Sequence, residues 1–206
     1  MRTLSPAPLL MSTAAPEKRK AQIRRHATAL FQDRGFAATS MRDLAAALGV
    51  EAASLYSHIG SKQELLHEIC FRLADEFFDA LDTAENEVVT PVGSLRALVC
   101  GHVRVLTQDP AASQVFLNEW RHLQEPALTE FTARRDAYEA RVRDLLRHGA
   151  DLGVLRLPAD DERFAALWLL SGLNWLPTWY KANGKLTPAE VADRLTTTML
   201  YGLGVV

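Results

Sequence analysis

The sequence predicts an all-α chain, and three observations predict it. Apolar residues recur at helical spacing along most of the 206 residues. No stretch sustains the period-two alternation of a half-buried strand. Capping residues and stop glycines bracket the periodic segments, which number about nine.

Ile23, Ala27, Leu30 and Phe31 form one apolar stripe, and Gly35 supplies a left-handed stop, so a first helix is expected over about residues 17–34. Ser40 can cap the amide of Asp43, whose carboxylate favours the positive end of a second helix starting near Met41. Leu44, Ala45 and Leu48 give that helix a buried side, and Gly49 closes it after barely two turns. A third short helix runs through Leu55, Tyr56 and Ile59 to Gly60. Two short helices about a glycine-containing turn form a helix-turn-helix arrangement.

Ser61 and Glu64 form a capping box that opens a long amphipathic helix through Leu65, Leu66, Ile69, Cys70, Leu73, Phe77 and Leu81. An acidic loop is expected near Ala84 to Val89. Further starts fall at Thr90-Pro91, Asp109-Pro110, near Pro126, at Asp160-Asp161-Glu162, and at the capping box Thr187-Pro188-Ala189-Glu190. Stops fall at Gly149 or Gly153 and at Gly184. The expected organisation is a loose arm over residues 1–16, a three-helix helix-turn-helix domain over 17–62 and a helical-bundle domain over 63–206.

With 48% hydrophobic and 23% charged residues, the chain can bury a sizeable core, which excludes a disulfide-stapled miniprotein and general disorder. Cys70 and Cys100 alone cannot make a disulfide framework, and a reducing cytoplasm suits them. The arm lacks the cationic start and apolar run of a signal peptide. No apolar stretch reaches the roughly 20 residues of a membrane span. The net charge of −2 hides an asymmetry: nine Lys/Arg face six Asp/Glu through residue 70, whereas 14 face 19 after it. A basic amino-terminal segment ahead of an acidic body fits a chain that meets a polyanion at one end.

Phe36 through Ala45, Leu48-Gly49-Val50, Ser54 through His58, and Ser61 through Leu66 strongly resemble the DNA-binding domain of the TetR (tetracycline-repressor) family, in order and spacing, over about residues 20–70. The resemblance implies a homodimeric one-component repressor that binds double-stranded operator DNA and whose carboxy-terminal domain takes a small molecule. Glu51 stands where the family usually has a capping Ser or Thr, and Ile59 replaces a usual Phe. Ala52, Ala53, Ser54, Ser57 and His58 lie on the outward side of the third helix, where side chains of modest size can read base edges. Tyr56 can reach phosphate with its hydroxyl. By resemblance Thr39, Ser40 and Lys62 contact phosphates at the rims, and Arg42 can do the same. As isolated residues, Ser40 and Ser61 are simply helix caps and Tyr56 a half-buried ring. The ordered constellation is what points to DNA.

Further on, Phe116 through Leu123, Arg134 through Tyr138, Leu173 through Tyr180, and Val191-Ala192-Asp193 resemble the branch of the family that senses fatty-acyl or steroid-derived acyl coenzyme A thioesters. Such a ligand needs an apolar slot for its tail and cations for its phosphates. Trp120, Trp168, Trp175, Trp179 and several Phe are the expected slot, with Tyr138 and Asn174 beside it; Arg121, His122, Arg135 and Lys181 are the expected mouth. Thr178 stands where relatives often have Arg, and Pro177 would kink its helix. The last two helices, about 161–182 and 188–203, would form a four-helix dimer interface that sets recognition helices about 34 Å apart.

Two rivals come from other classes. Glu64-Leu65-Leu66-His67 and Glu119-Trp120-Arg121-His122 share the Glu-x-x-His spacing of di-iron carboxylate bundles, which would make the chain an oxidase. A dimeric helical module that never touches DNA is the other. No nucleophile elbow, P-loop, dinucleotide fingerprint or zinc-protease motif occurs, so no catalytic activity, metal or cofactor is expected.

Overall fold

A computed structural model describes residues 16–86, 88–157 and 161–202. The arm expected over 1–16 lies outside the described residues, except Pro16, which opens the first helix. Every regular element among the described residues is helical. The order is α1 (Pro16–Arg34), α2 (Met41–Leu48), α3 (Ala52–Tyr56), α4 (Lys62–Asn86), α5 (Pro91–Gln108), α6 (Pro110–Asn118), a single 3-10 turn (Trp120–His122), α7 (Ala127–Asp151), α8 (Glu162–Asn174), α9 (Leu176–Trp179) and α10 (Pro188–Tyr201).

The local signals act as chemistry dictates. Ser40 Oγ accepts from Asp43 N–H, and the Asp43 carboxylate accepts from Ser40 N–H at 2.8 Å. Gly49 then takes φ 65°, a left-handed turn that a side chain would strain, and sends the chain into α3. Thr90, Asp109 and Thr187 each accept from an amide three residues on and cap α5, α6 and α10, all with proline in the first turn. The box at Ser61 differs by one position: Ser61 Oγ accepts from Glu64 N–H, but the Glu64 carboxylate reaches back to Gly60 N–H at 2.8 Å.

Three boundaries depart from expectation. The acidic segment from Ala84 onward continues α4 to Asn86, because Ala84 is buried and Arg141 of α7 pairs with Asp82 and Glu85 across the helix surface. The helix expected over 161–182 breaks at Trp175, since Pro177 has no amide to continue the ladder; α9 is the single turn that follows. The third helix ends at Tyr56, one turn early.

Ile23, Ala27 and Phe31 of α1 pack with Leu44, Ala45, Leu55 and Ile59 to make a small head, and Leu65, Leu66 and Ile69 at the start of α4 continue its core into the body. Ile59, standing where the family usually has Phe, is buried in this core. In the body α5 is central, with α4, α7, α8 and α10 against it. Gly101 lets α4 approach: a Cβ there would sit 2.7 Å from that of Ala80.

Candidate functional site

The head presents α3 on its outer side. Leu55 and Ile59 point inward and are buried, which turns Ala53, Tyr56 and Ser57 outward, with Ala52, Ser54 and His58 half-buried beside them. Tyr56 is 54% exposed, a hydroxyl-tipped ring partly open to solvent. Ser57 donates to Ser54 O at 2.7 Å, so its hydroxyl retains acceptor capacity. Glu51 precedes α3 without a side-chain capping bond and stays exposed on this face. Ser40 and Arg42 flank α3 from the start of α2, both exposed, and Arg42 makes no ion pair among the described residues.

Thr39 and Lys62 behave otherwise. Thr39 is buried and donates its hydroxyl to Gly35 O at 2.9 Å. The Lys62 ammonium donates to Phe36 O at 2.9 Å and Thr39 O at 2.8 Å while lying 4.3 Å from the Phe36 ring centroid. For these two the expectation of a phosphate contact is corrected: their donors are already engaged in tying the α1–α2 turn together and to α4.

A cleft enters the body between α4, α5, α6, α7 and α8, with about 550 Å³ of empty space including its open mouth. Phe77, Phe116 and Phe131 supply an aromatic wall, with centroids 5.2 and 5.5 Å apart along the series. At its base His102 is buried between two polar partners: Nδ1 lies 3.1 Å from Tyr138 Oη, and Nε2 3.1 Å from Asn174 Oδ1. With Asn174 Oδ1 accepting, Nε2 carries the proton, and Nδ1 accepts from Tyr138. Burial drives the ring down to about 4, only partly opposed by the Asn174 bond, so His102 is neutral at physiological pH.

The rim is cationic. Arg134 is tied to Asp75 and Glu130 and stacks on Phe71. Arg135 meets no carboxylate within ion-pair distance among the described residues; its guanidinium sits 4.5 Å from the Trp120 ring centroid, and that of Arg121 sits 4.6 Å from the same ring. Burial first, and the Arg121 charge second, disfavour the Arg135 cation. Arginine does not give up its proton in proteins, so Arg135 and Arg121 keep positive charge on the rim, with the Asp136 charge a partial offset for Arg135. Behind it the Cys70 thiol is pushed up to about 12 by burial and stays protonated.

Of the expected pocket residues, Arg135, Tyr138 and Asn174 line the cleft, while Trp120 and Arg121 back its rim. Four expectations are corrected. Trp168 and Trp179 are 55% and 46% exposed on the outside of α8 and α9, because Ala166, Leu169 and Leu173 take the inward face of α8; Trp175, 65% exposed, borders an open groove beside the cleft with Arg135 and Asn174. Lys181 is exposed past α9 and does not line the cleft. His122 turns away and stacks on Phe36 at 5.6 Å. Sequence reasoning missed His102 and, expecting several Phe along the slot, did not single out Phe77 and Phe116. A legible signal existed for the first: His102 interrupts the apolar stripe Leu95, Leu98, Val99, Val103 and Leu106 of α5. The di-iron rival finds no support, since Glu64 holds Gly60 N–H and Glu119 holds Phe36 N–H. No group of three or more His, Cys, Asp or Glu suited to a metal occurs among the described residues.

A helix-turn-helix head, joined through one long helix to a helical body with its own small-molecule cleft, defines a one-component DNA-binding regulator. Residues 23–69 match the model for bacterial regulatory proteins of the tetR family, and residues 89–203 match that for the tetracyclin repressor-like C-terminal domain. The chain belongs to the TetR family of transcriptional regulators, which are not enzymes. It is 24% identical over 190 residues to the HTH-type transcriptional repressor KstR2 of Mycolicibacterium smegmatis, covering 91% of this chain and 92% of that protein. The crystal structure of PfmR from Thermus thermophilus, a TetR family regulator, superposes with a TM-score of 0.79 at 33% identity, covering 89% of this chain and 100% of that one. AibR, solved in complex with isovaleryl coenzyme A and operator DNA, superposes with a TM-score of 0.76 at 28% identity, covering 89% and 98%. No helix of the described residues is long and apolar enough to cross a membrane.

Proposed function

We propose that the chain is a homodimeric cytoplasmic repressor whose head, residues 17–62, holds an operator until an acyl coenzyme A thioester enters the cleft of the body, residues 63–206. One observation carries the effector class. An aromatic-walled cleft ends at Arg135, a cation without a carboxylate partner among the described residues, beside Arg121 on the same indole. An apolar tail with a polyanionic head group satisfies both ends at once. The relative solved with isovaleryl coenzyme A supports the same class.

Dimerisation is read from α8. Phe164, Leu167, Trp168 and Trp175 form an apolar stripe at helical spacing that faces outward, with Tyr201 of α10 also exposed. A second copy covering this stripe sets two α3 helices about one DNA turn apart. The effector then favours the conformer in which α4 has swung and the heads no longer match successive grooves.

Tryptophan fluorescence titrated with isovaleryl coenzyme A, longer acyl thioesters, free acids and coenzyme A alone tests the effector. Operator retention on a selected duplex is followed in parallel. Arg135→Gln is expected to weaken thioester binding about tenfold, or about 1.4 kcal/mol. If no thioester shifts the emission or releases DNA, the effector class is wrong; if no duplex is held above random sequence, the chain is instead the binding module that never touches DNA.

A further inference from the structure

The turn that follows α6 touches both the head and the rim of the cleft. On one side, Phe116 and Leu117 of α6 line the cleft. Trp120 packs on Phe131 at 5.8 Å, with the rim arginines over its ring. On the other side, the Glu119 carboxylate accepts from Phe36 N–H at 2.9 Å. The His122 ring lies parallel to Phe36 at 24°, and Gln63 Nε2 donates to His122 O at 2.8 Å. One helical turn back, Gln114 meets Gln32 of α1 at 3.0 Å.

Phe36 is the node of the head. Its amide stands in the turn past α1 and turns out of the helix to the Glu119 carboxylate. Its ring packs edge-on against Phe31 at 5.1 Å, and the Lys62 ammonium holds its carbonyl and ring together. The same ammonium holds Thr39 O, immediately before the cap of α2. A shift of Phe36 therefore moves the α2 start and the α4 start in concert.

We propose that Glu119 is a positioning residue that couples the state of the cleft to the DNA-reading head, through its charge-assisted bond to Phe36 N–H. The inference rests on the reading of the chain as a ligand-responsive DNA-binding regulator. A group filling the cleft presses on Phe116, Leu117 and Trp120. The stiff turn carries that displacement to Glu119, and hydrogen bonding weakens steeply once distance and angle leave their narrow optimum. Glu119 is thus the part of the Glu-x-x-His sequence that acts, in mechanics rather than in metal chemistry.

The test needs neither effector nor operator, so its failure is distinct from failure of the thioester or DNA reading. Leu170→Trp, with Leu170→Phe as a milder second variant, fills the cleft from α8. Amide exchange of residues 31–41 is then measured by mass spectrometry. With Glu119 present, filling is expected to raise exchange at Phe36 by about fivefold or more. Glu119→Ala should show the raised rate already and respond to filling by less than about twofold, while Glu119→Gln, which keeps an acceptor oxygen, should respond like the parent. Coupling is reciprocal, so Glu119→Ala alone should also raise exchange in the cleft wall, Phe131 to Tyr138, by about twofold or more. That last measurement stands even if both cleft variants fail to fold. Equal increments with and without Glu119, or an unmoved cleft wall in Glu119→Ala, overturn the proposal.

Discussion

Acidification should destabilise this chain through His102 specifically. In the folded state the ring is buried between Tyr138 and Asn174, and burial lowers its pKa from 6.5 to about 4. The unfolded chain takes up the proton near 6.5, the folded chain only near 4. Between those values the unfolded state binds more protons, so stability falls as pH falls through the window; above it the term vanishes, and below it the loss is constant. The gap of about 2.5 units, at about 1.4 kcal/mol each, sets a ceiling of about 3 kcal/mol, most of it lost by about pH 4.5. Urea melts at about pH 7.5 and 4.5, at fixed protein concentration, compare the parent with His102→Gln, which cannot titrate. The parent should lose about 2–3 kcal/mol more than the variant over this interval, since the other five histidines are common to both. Parallel losses within about 0.5 kcal/mol, or a folded-state His102 resonance titrating near 6.5, refute the assignment of a buried neutral ring.

Three further outcomes are expected. Lys62→Met should weaken operator binding by loosening the head yet leave the salt dependence unchanged, whereas Arg42→Ala should reduce the slope of log affinity against log salt by about one; fluorescence anisotropy at several salt concentrations separates them, and a lowered slope for Lys62→Met would place its ammonium on phosphate. Leu167→Asp places a charge in the outward stripe of α8 and should give a monomer by sedimentation equilibrium with an unchanged helical spectrum; a persistent dimer moves the interface elsewhere. Phe131→Ala removes a fully buried ring that packs on Phe71, Phe116 and Trp120, and should cost about 3–5 kcal/mol in urea melts; a loss below about 1 kcal/mol would mean the cleft wall collapses to fill the gap.

The helix starts at Ser40, Thr90, Asp109 and Thr187 and the turn at Gly49 were legible because each is decided by groups within about four residues. The outward face of α3 was legible for the same reason, once Leu55 and Ile59 are seen as its apolar side. Other assignments lay beyond that reach. The periodicity of α8 shows two apolar sides and cannot say which meets the core, so Trp168 reads as pocket. Ala84 to Asn86, the first part of the acidic loop expected near Ala84 to Val89, reads as loop until Arg141, 56 residues on from Glu85, pairs with that residue.

Lys62 looks like a phosphate ligand until its ammonium is found on a carbonyl 26 residues away, and Glu119 looks like a metal ligand until it is found on an amide 83 residues away. By itself the sequence determined that the chain is helical, where most helices begin, and which side of the third helix faces outward, because caps and stripes are short-range interactions. Only the tertiary structure decided which aromatics wall the cleft, which rim arginine makes no ion pair among the described residues and which carboxylate accepts from the Phe36 amide of the head. Those depend on groups brought within a few ångströms by packing, and desolvation at those contacts sets their charge and hydrogen bonding.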